Sequence, residues 1–133
     1  MPHLLEAGSP NGMGAYGLAA AMRVIQGYDR SALTAHYKSL SAMAHSGLSA
    51  TSGVRVISDP DALSLISFVV DGVHPHDVAA ILGDRKVLVR AGFHCAQPLH
   101  TALGLSTGSI RASFGPYTTA EDIAALVDAV QAI

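Results

Sequence analysis

The sequence is poor in several features that would commit it to a specialised class. It has one cysteine, no tryptophan and only 5% aromatic residues in 133. A single cysteine closes no intramolecular disulfide, so oxidative stapling is excluded and a reducing cytosol is the expected compartment. Charge is sparse at 14%, with 8 Lys+Arg against 10 Asp+Glu and a formal net charge of −2. No run of Lys or Arg occurs, so the electrostatic footprint of a nucleic-acid or anionic-membrane binder is missing, and neither partner is expected. The longest apolar stretches, such as Gly14 to Met22, stop at a charge well short of the ~18 residues that span a bilayer. The opening MPHLLEAGSPNG lacks both a basic and an apolar signal region, so no secretory leader is expected. Its turn-forming segment Gly8-Ser9-Pro10-Asn11-Gly12 arrives with no strand or helix before it, as it would in the middle of something longer.

What is present is a chain half hydrophobic, of a length close to the commonest domain size and able to bury a core without metals or disulfides. Ala15, Leu18, Ala19, Met22 and Ile25 recur at helical steps and predict a first helix ending near Gly27. From an N-cap at Asp29 or Ser31, the series Leu33, Tyr37, Leu40, Ala44, Leu48 predicts a second. Val54–Ile57 and Leu63–Val70 read as strands, with the turn Asp59-Pro60-Asp61 between them. Pro75 suits the first position of a short helix running to Leu82, and Val87–Val89 reads as a third strand. A non-periodic loop over 91–98 leads to a brief helical piece around Leu99 to Leu103, and Ser109–Ser113 makes the last strand. Thr118 and Glu121 have capping-box spacing ahead of Ile123, Leu126, Val127, Val130 and Ile133 on a closing helix. No repeat, low-complexity tract or linker interrupts this order, so residues 1–133 read as one domain. Its class is α+β: a small antiparallel or mixed sheet with helices packed on one face.

Cys95 is the leading candidate for chemistry. A thiolate is a strong nucleophile and a sulfur acceptor, and Cys95 lies in a Gly/His/Pro loop rather than in an apolar run. Composition alone leaves a buried structural cysteine equally open. A working thiol needs a cationic or basic neighbour, and His94, Arg90 and Arg111 are at hand. Arg111 stands inside a short predicted strand, where its planar fork suits a carboxylate if it does not simply face solvent; Arg90 has the same two readings. His74, His76, His94, Cys95 and His100 invite comparison with a metal site. They contain no Cys-x-x-Cys or His-x-x-x-His pattern, and adjacent residues on an extended chain point apart, so no metal is expected. His36 and His45 fall on opposite sides of the second helix and share no ligand. The Gly8-to-Gly12 loop can offer amides and a hydroxyl to a phosphate, but it matches no established phosphate-loop pattern.

Taken in order, Glu6-Ala-Gly-Ser-Pro-Asn11, His74-Pro-His-Asp77, Val89-Arg-Ala-Gly-Phe-His-Cys-Ala-Gln-Pro-Leu99 and Ile110-Arg-Ala-Ser-Phe114 resemble the carboxy-terminal part of class V, fold-type-I enzymes that use pyridoxal phosphate (PLP). Among these the sequence is most similar to cysteine desulfurases of the sulfur-mobilisation type and their selenocysteine-lyase relatives. The resemblance implies that Cys95 takes sulfur from cofactor-bound cysteine, releasing alanine and leaving a persulfide for an acceptor protein in iron–sulfur cluster assembly. It further implies that Arg111 holds the substrate carboxylate, with Arg90 nearby. Ser9 and its neighbour Gly8 would reach the PLP phosphate across a dimer, and His94 would support Cys95.

The departures from that pattern are large. The family's Schiff-base lysine lies in a Ser-x-His-Lys context, and the only lysines here, Lys38 and Lys86, lack it. Phe93 also stands where a histidine is often found. The resemblance therefore implies the small domain of such an enzyme without its PLP-binding large domain, inactive alone and associated with itself or with a separate large-domain chain. A persulfide carrier or interaction module, or a degenerate fragment, is the alternative expectation.

Overall fold

The computed structural model describes residues 7–133, and the first residue of the Glu6–Asn11 motif lies outside them. The chain divides into two compact units, Met1–Leu33 and Thr34–Ile133. In the first, Asn11 caps α1 (Gly12–Gln26), its side chain accepting the Gly14 amide at 2.9 Å. α1 follows the sequence expectation in extent, but none of its residues is buried.

α2 (Arg30–Ser49) starts at Asp29, whose carboxylate accepts from the Ser31 hydroxyl and from the Ser31 and Ala32 amides. Those hydrogen bonds hold the Asp29 carboxyl below its ordinary value of 3.8. Beyond α2 come β1 (Val54–Val56), β2 (Leu65–Val70), α3 (Pro75–Asp84), β3 (Arg90–Gly92), α4 (Gln97–Ala102), β4 (Ser109–Ser113) and α5 (Ala120–Gln131). The strands form one open antiparallel sheet in the order β1-β2-β4-β3.

Strand alternation sorts the sheet into two faces. Ile66, Phe68, Ile110 and Ala112 point to one side. They bury there with Leu40, Ala44 and Leu48 of α2, Val78 and Leu82 of α3, and Ile123, Leu126, Ala129 and Val130 of α5. α2 and α5 approach closely at Gly47, where an added Cβ would stand 2.7 Å from Val127 Cγ2. The other face carries half-buried Leu65, Ser67 and Val69 together with Arg55, Arg90 and Arg111. α4 does not enter the helical core; its buried His100 meets Ser109, which lies on this second face.

Several expected boundaries shift. The third strand is Arg90–Gly92 rather than Val87–Val89. The reason lies at the end of α3: Lys86 turns left-handed (φ 64°) and the Val87 amide returns to the Leu82 carbonyl at 2.9 Å, spending Val87 on a helix cap. The box that starts α5 pairs Thr119 with Asp122, not Thr118 with Glu121. Thr118 is engaged elsewhere, its hydroxyl accepting the Gly115 amide at 2.9 Å. β2 begins at Leu65, two residues late, because Ser64 is left-handed (φ 62°). At the other end of the sheet Gly108 (φ 90°) passes so close to β3 that a Cβ there would lie 2.6 Å from the Gly92 carbonyl carbon.

Candidate active site

The loop after β3 carries the thiol. Gly92 has φ 117°, and beyond Phe93 both His94 (φ 52°) and Cys95 (φ 59°) lie in the left-handed region. For side chains other than glycine this costs on the order of 1 kcal/mol or more per residue, so neighbours must enforce it. Within the turn the Ala96 amide donates to the Phe93 carbonyl at 2.8 Å, and α4 begins one residue later with Pro98 in its first turn. α4 thus starts ahead of the expected Leu99. Cys95 is exposed rather than buried, which removes the structural reading that composition left open.

His94 is fixed against β4. Its Nε2 lies 3.2 Å from the Ser109 carbonyl oxygen, which can only accept, so Nε2 carries the proton and donates. Its Nδ1 is enclosed and has no partner. Partial burial, the main cause, lowers the His94 pKa below the ordinary 6.5. The positive charges of Arg111 and Arg90 and the nearby His100 act the same way, opposed by the bond to Ser109. His94 and Cys95 are not on an extended chain, so the sequence argument that they point apart does not apply. Among the described residues, no three His, Cys, Asp or Glu side chains gather as a metal cluster. His74 and His76 instead stack on each other at 5.5 Å, the His74 ring accepting the His76 amide.

The register of β3 against β4 places Arg90 directly opposite Arg111. Two like charges facing one another across an antiparallel pair repel, and a strand pair tolerates them best when an anion can lie between. No carboxylate pairs with either among the described residues, and Arg111 Nε is buried without a partner. Arg111 is half-buried and Arg90 exposed. Sequence spacing put both arginines on the candidate roll but gave no means to see that they face each other.

Gly8 (φ 84°) and Ser9 lie exposed in the loop that leads to Asn11 and α1. A Schiff-base lysine works as an enclosed, desolvated amine. Lys38 on α2 and Lys86 after α3 are both exposed. The described residues therefore do not fit PLP on their own. Sequence reasoning missed His100 and Ser109. His100 was weighed only as a metal ligand, whereas it is buried and bonded to Ser109. A histidine five residues past the cysteine, on a helix otherwise apolar and polar-neutral, was the available signal.

No described helix is long and apolar enough to cross a membrane. The sequence matches the family "Aminotransferase class-V" over residues 1–126. Cysteine desulfurase CsdA of Escherichia coli is 43% identical over 129 residues, covering 97% of this chain and 32% of the relative. A probable cysteine desulfurase of Vibrio cholerae is 41% identical over 130 residues, covering 98% and 32%. Among solved structures, the S-sulfonic acid form of CsdA superimposes with a TM-score of 0.87 at 41% identity, over 98% of this chain and 32% of that one. An apo cysteine desulfurase of Thermococcus onnurineus gives 0.86 at 36% identity, over 96% and 32%. The chain thus spans about a third of the length of the relatives it matches. With a family match over nearly all its residues and an open α+β sheet like theirs, the chain belongs to the aminotransferase class-V family.

Proposed function

We propose that this chain supplies the sulfur-accepting and carboxylate-holding part of a PLP-dependent cysteine desulfurase, as the small carboxy-terminal domain of that enzyme. The observation that carries the reading is the unpaired Arg90–Arg111 pair at the foot of the loop that exposes Cys95. Two arginines opposite each other without a carboxylate make a receptor for the carboxylate of an amino acid, the half-buried Arg111 by its unsatisfied fork and Arg90 from the rim. Cys95 then takes the sulfur atom of L-cysteine: the carbon–sulfur bond breaks, a sulfur–sulfur bond forms on Cys95, and a proton replaces sulfur on carbon to give alanine. His94, its pKa lowered by partial burial, holds the turn beside Cys95 through its bond to the Ser109 carbonyl. The persulfide passes to an acceptor protein in a reducing compartment such as the cytosol.

The amino group of the substrate needs PLP, and the Schiff-base lysine for it is sought outside residues 1–133, with Ser9 and Gly8 available to the phosphate. α1 fits the same picture. It is apolar on every side, with Arg23 its one charge, so it calls for cover from a second copy or a large-domain chain. Mixing the chain with a polypeptide that supplies the large domain should restore alanine release from cysteine, and Cys95→Ser should return it to background. The chain alone should give no borohydride-reducible PLP adduct at Lys38 or Lys86. Such an adduct, or undiminished alanine release by Cys95→Ser, overturns the reading.

The exposure of Cys95 also suits a persulfide carrier that acts without catalysis. Persulfide delivered to Cys95 by a complete desulfurase, with no alanine release in the mixture, would favour that role.

A further inference from the structure

The turn that carries Cys95 is tied on both sides to a single residue of β4. Before the cysteine, His94 Nε2 donates to the Ser109 carbonyl at 3.2 Å. After it, the Ala96 carbonyl lies 2.9 Å from His100 Nδ1, and His100 Nε2 lies 2.9 Å from the Ser109 hydroxyl. We propose that His100 and Ser109 are positioning residues for Cys95, a hydrogen-bonded clamp that holds residues 93–96 in the left-handed turn and keeps the thiol exposed at the end of β3. The inference rests on the reading of Cys95 as the thiol that takes up sulfur.

Donor and acceptor counting fixes the protons. The Ala96 carbonyl only accepts, so His100 Nδ1 carries hydrogen and Nε2 presents its lone pair, to which the Ser109 hydroxyl donates. His94 has the opposite arrangement, with hydrogen on Nε2. One serine therefore holds two imidazoles that point opposite ring nitrogens at backbone carbonyls, Nε2 of His94 and Nδ1 of His100, their ring centres 5.8 Å apart. Adjacent left-handed residues do not sustain themselves, and here the restraint comes from outside the turn. His94 senses the charges of Arg111 and Arg90. Its neighbour Cys95 is presented to solvent while the turn holds, and loses that presentation when residues 94 and 95 relax toward commoner backbone angles.

Packing and hydrogen bonding are separable at this position. Phe93 meets His100 edge-on at 5.5 Å, a contact that leucine can largely keep while losing both hydrogen bonds. Nitrogen-15 spectra of the histidine-labelled chain at pH 7.5 should show His100 protonated at Nδ1 and His94 at Nε2. Iodoacetamide reads the only thiol directly. At pH 7, His100→Leu and Ser109→Ala should slow alkylation about three- to tenfold and speed exchange of the Ala96 amide. Ser109→Thr, which keeps the hydroxyl, and His100→Asn, which keeps a donor near Ala96, should recover most of the rate. A merely structural role would change amide exchange and leave alkylation alone. The inference is overturned if His100 is protonated at Nε2, or if folded Ser109→Ala reacts like the parent chain. Should His100→Leu fail to fold, the spectra and the serine variants decide alone. Neither measurement needs cysteine or PLP, so an intact clamp with no sulfur transfer would sink the functional reading and leave this one standing.

Discussion

α1 and α5 are helices of similar length and apolar content with opposite fates. α5 gathers Ile123, Leu126, Ala129 and Val130 on one buried stripe and leaves Glu121, Asp122 and Asp128 on its other sides. α1 scatters Met13, Tyr16, Leu18, Met22, Val24 and Ile25 around its whole circumference, all exposed, with Arg23 its one charged residue. The periodicity that predicts each helix is equally clear; what differs is whether a polar side exists. A helix with a polar side is finished by one core. A helix without one is written for cover on several sides, and no residue of α1 is fully buried.

The contrast is open to four tests. The largest effect should come from shaving one leucine in each helix. Leu126→Ala should lower the unfolding free energy by about 2–5 kcal/mol, as expected for a buried leucine, while Leu18→Ala should stay within about 0.5 kcal/mol in denaturant titrations. The same Leu18 change, combined with Met22→Gln, should reduce self-association seen by light scattering. Equal destabilisation by the two single changes would erase the distinction.

Glycine-to-alanine exchange should give opposite signs. At Gly47 a Cβ meets Val127 at 2.7 Å, so overpacking should cost about 1–3 kcal/mol despite the better helix propensity of alanine. At Gly17 in α1 nothing lies within 4 Å, and alanine should stabilise the helix by up to about 1 kcal/mol, read as ellipticity or melting temperature.

Capping comes next. Thr119→Ala removes half of a reciprocal box at the start of α5 and should cost about 1 kcal/mol. Asn11→Ala should change global unfolding by only a few tenths, because the α1 cap supports a helix with no buried side.

The smallest effect concerns pH, and it must arise outside α1, which has no histidine. The folded His94 pKa lies below 6.5 whereas an unfolded histidine titrates near 6.5, so the unfolded chain takes up the proton first as pH falls. Stability should therefore decline from about pH 6.5 downward through the lowered His94 value, with no His94 contribution to the slope above that window. Urea midpoints for the parent chain and His94→Gln should converge in slope above pH 7 and diverge below 6.5.

Much of this molecule is legible in its sequence, and the reason varies with the residue. The helices were readable because burial on one side imposes a period, as in Leu40, Ala44 and Leu48. Ser109–Ser113 was readable as a strand, and from it the two faces of the sheet. The strand at Arg90–Gly92 was not, because Val87 and Val89 look more strand-like than the residues that pair. Only the tertiary fact that Lys86 turns left-handed assigns them otherwise. The capping box slipped by one for a similar reason, since Thr118 and Thr119 are interchangeable until Gly115 claims one hydroxyl. Arg90, Arg111, His94 and Cys95 were found as residue types in a known order. Their juxtaposition across the ladder, and the recruitment of His100 and Ser109, depend on register and on a backbone turn that no local pattern encodes.

The two glycines that touch where β3 meets the approach to β4 impose a constraint of another kind. A methyl group at 108 has nowhere to go except into the main chain at 92, and main chain, unlike a side chain, cannot swing aside. Variation at 108 is thereby tied to the path of the neighbouring strand, the same strand that delivers the cysteine loop. A random library at this position should return glycine almost alone, making a residue with no functional group one of the least replaceable in the molecule.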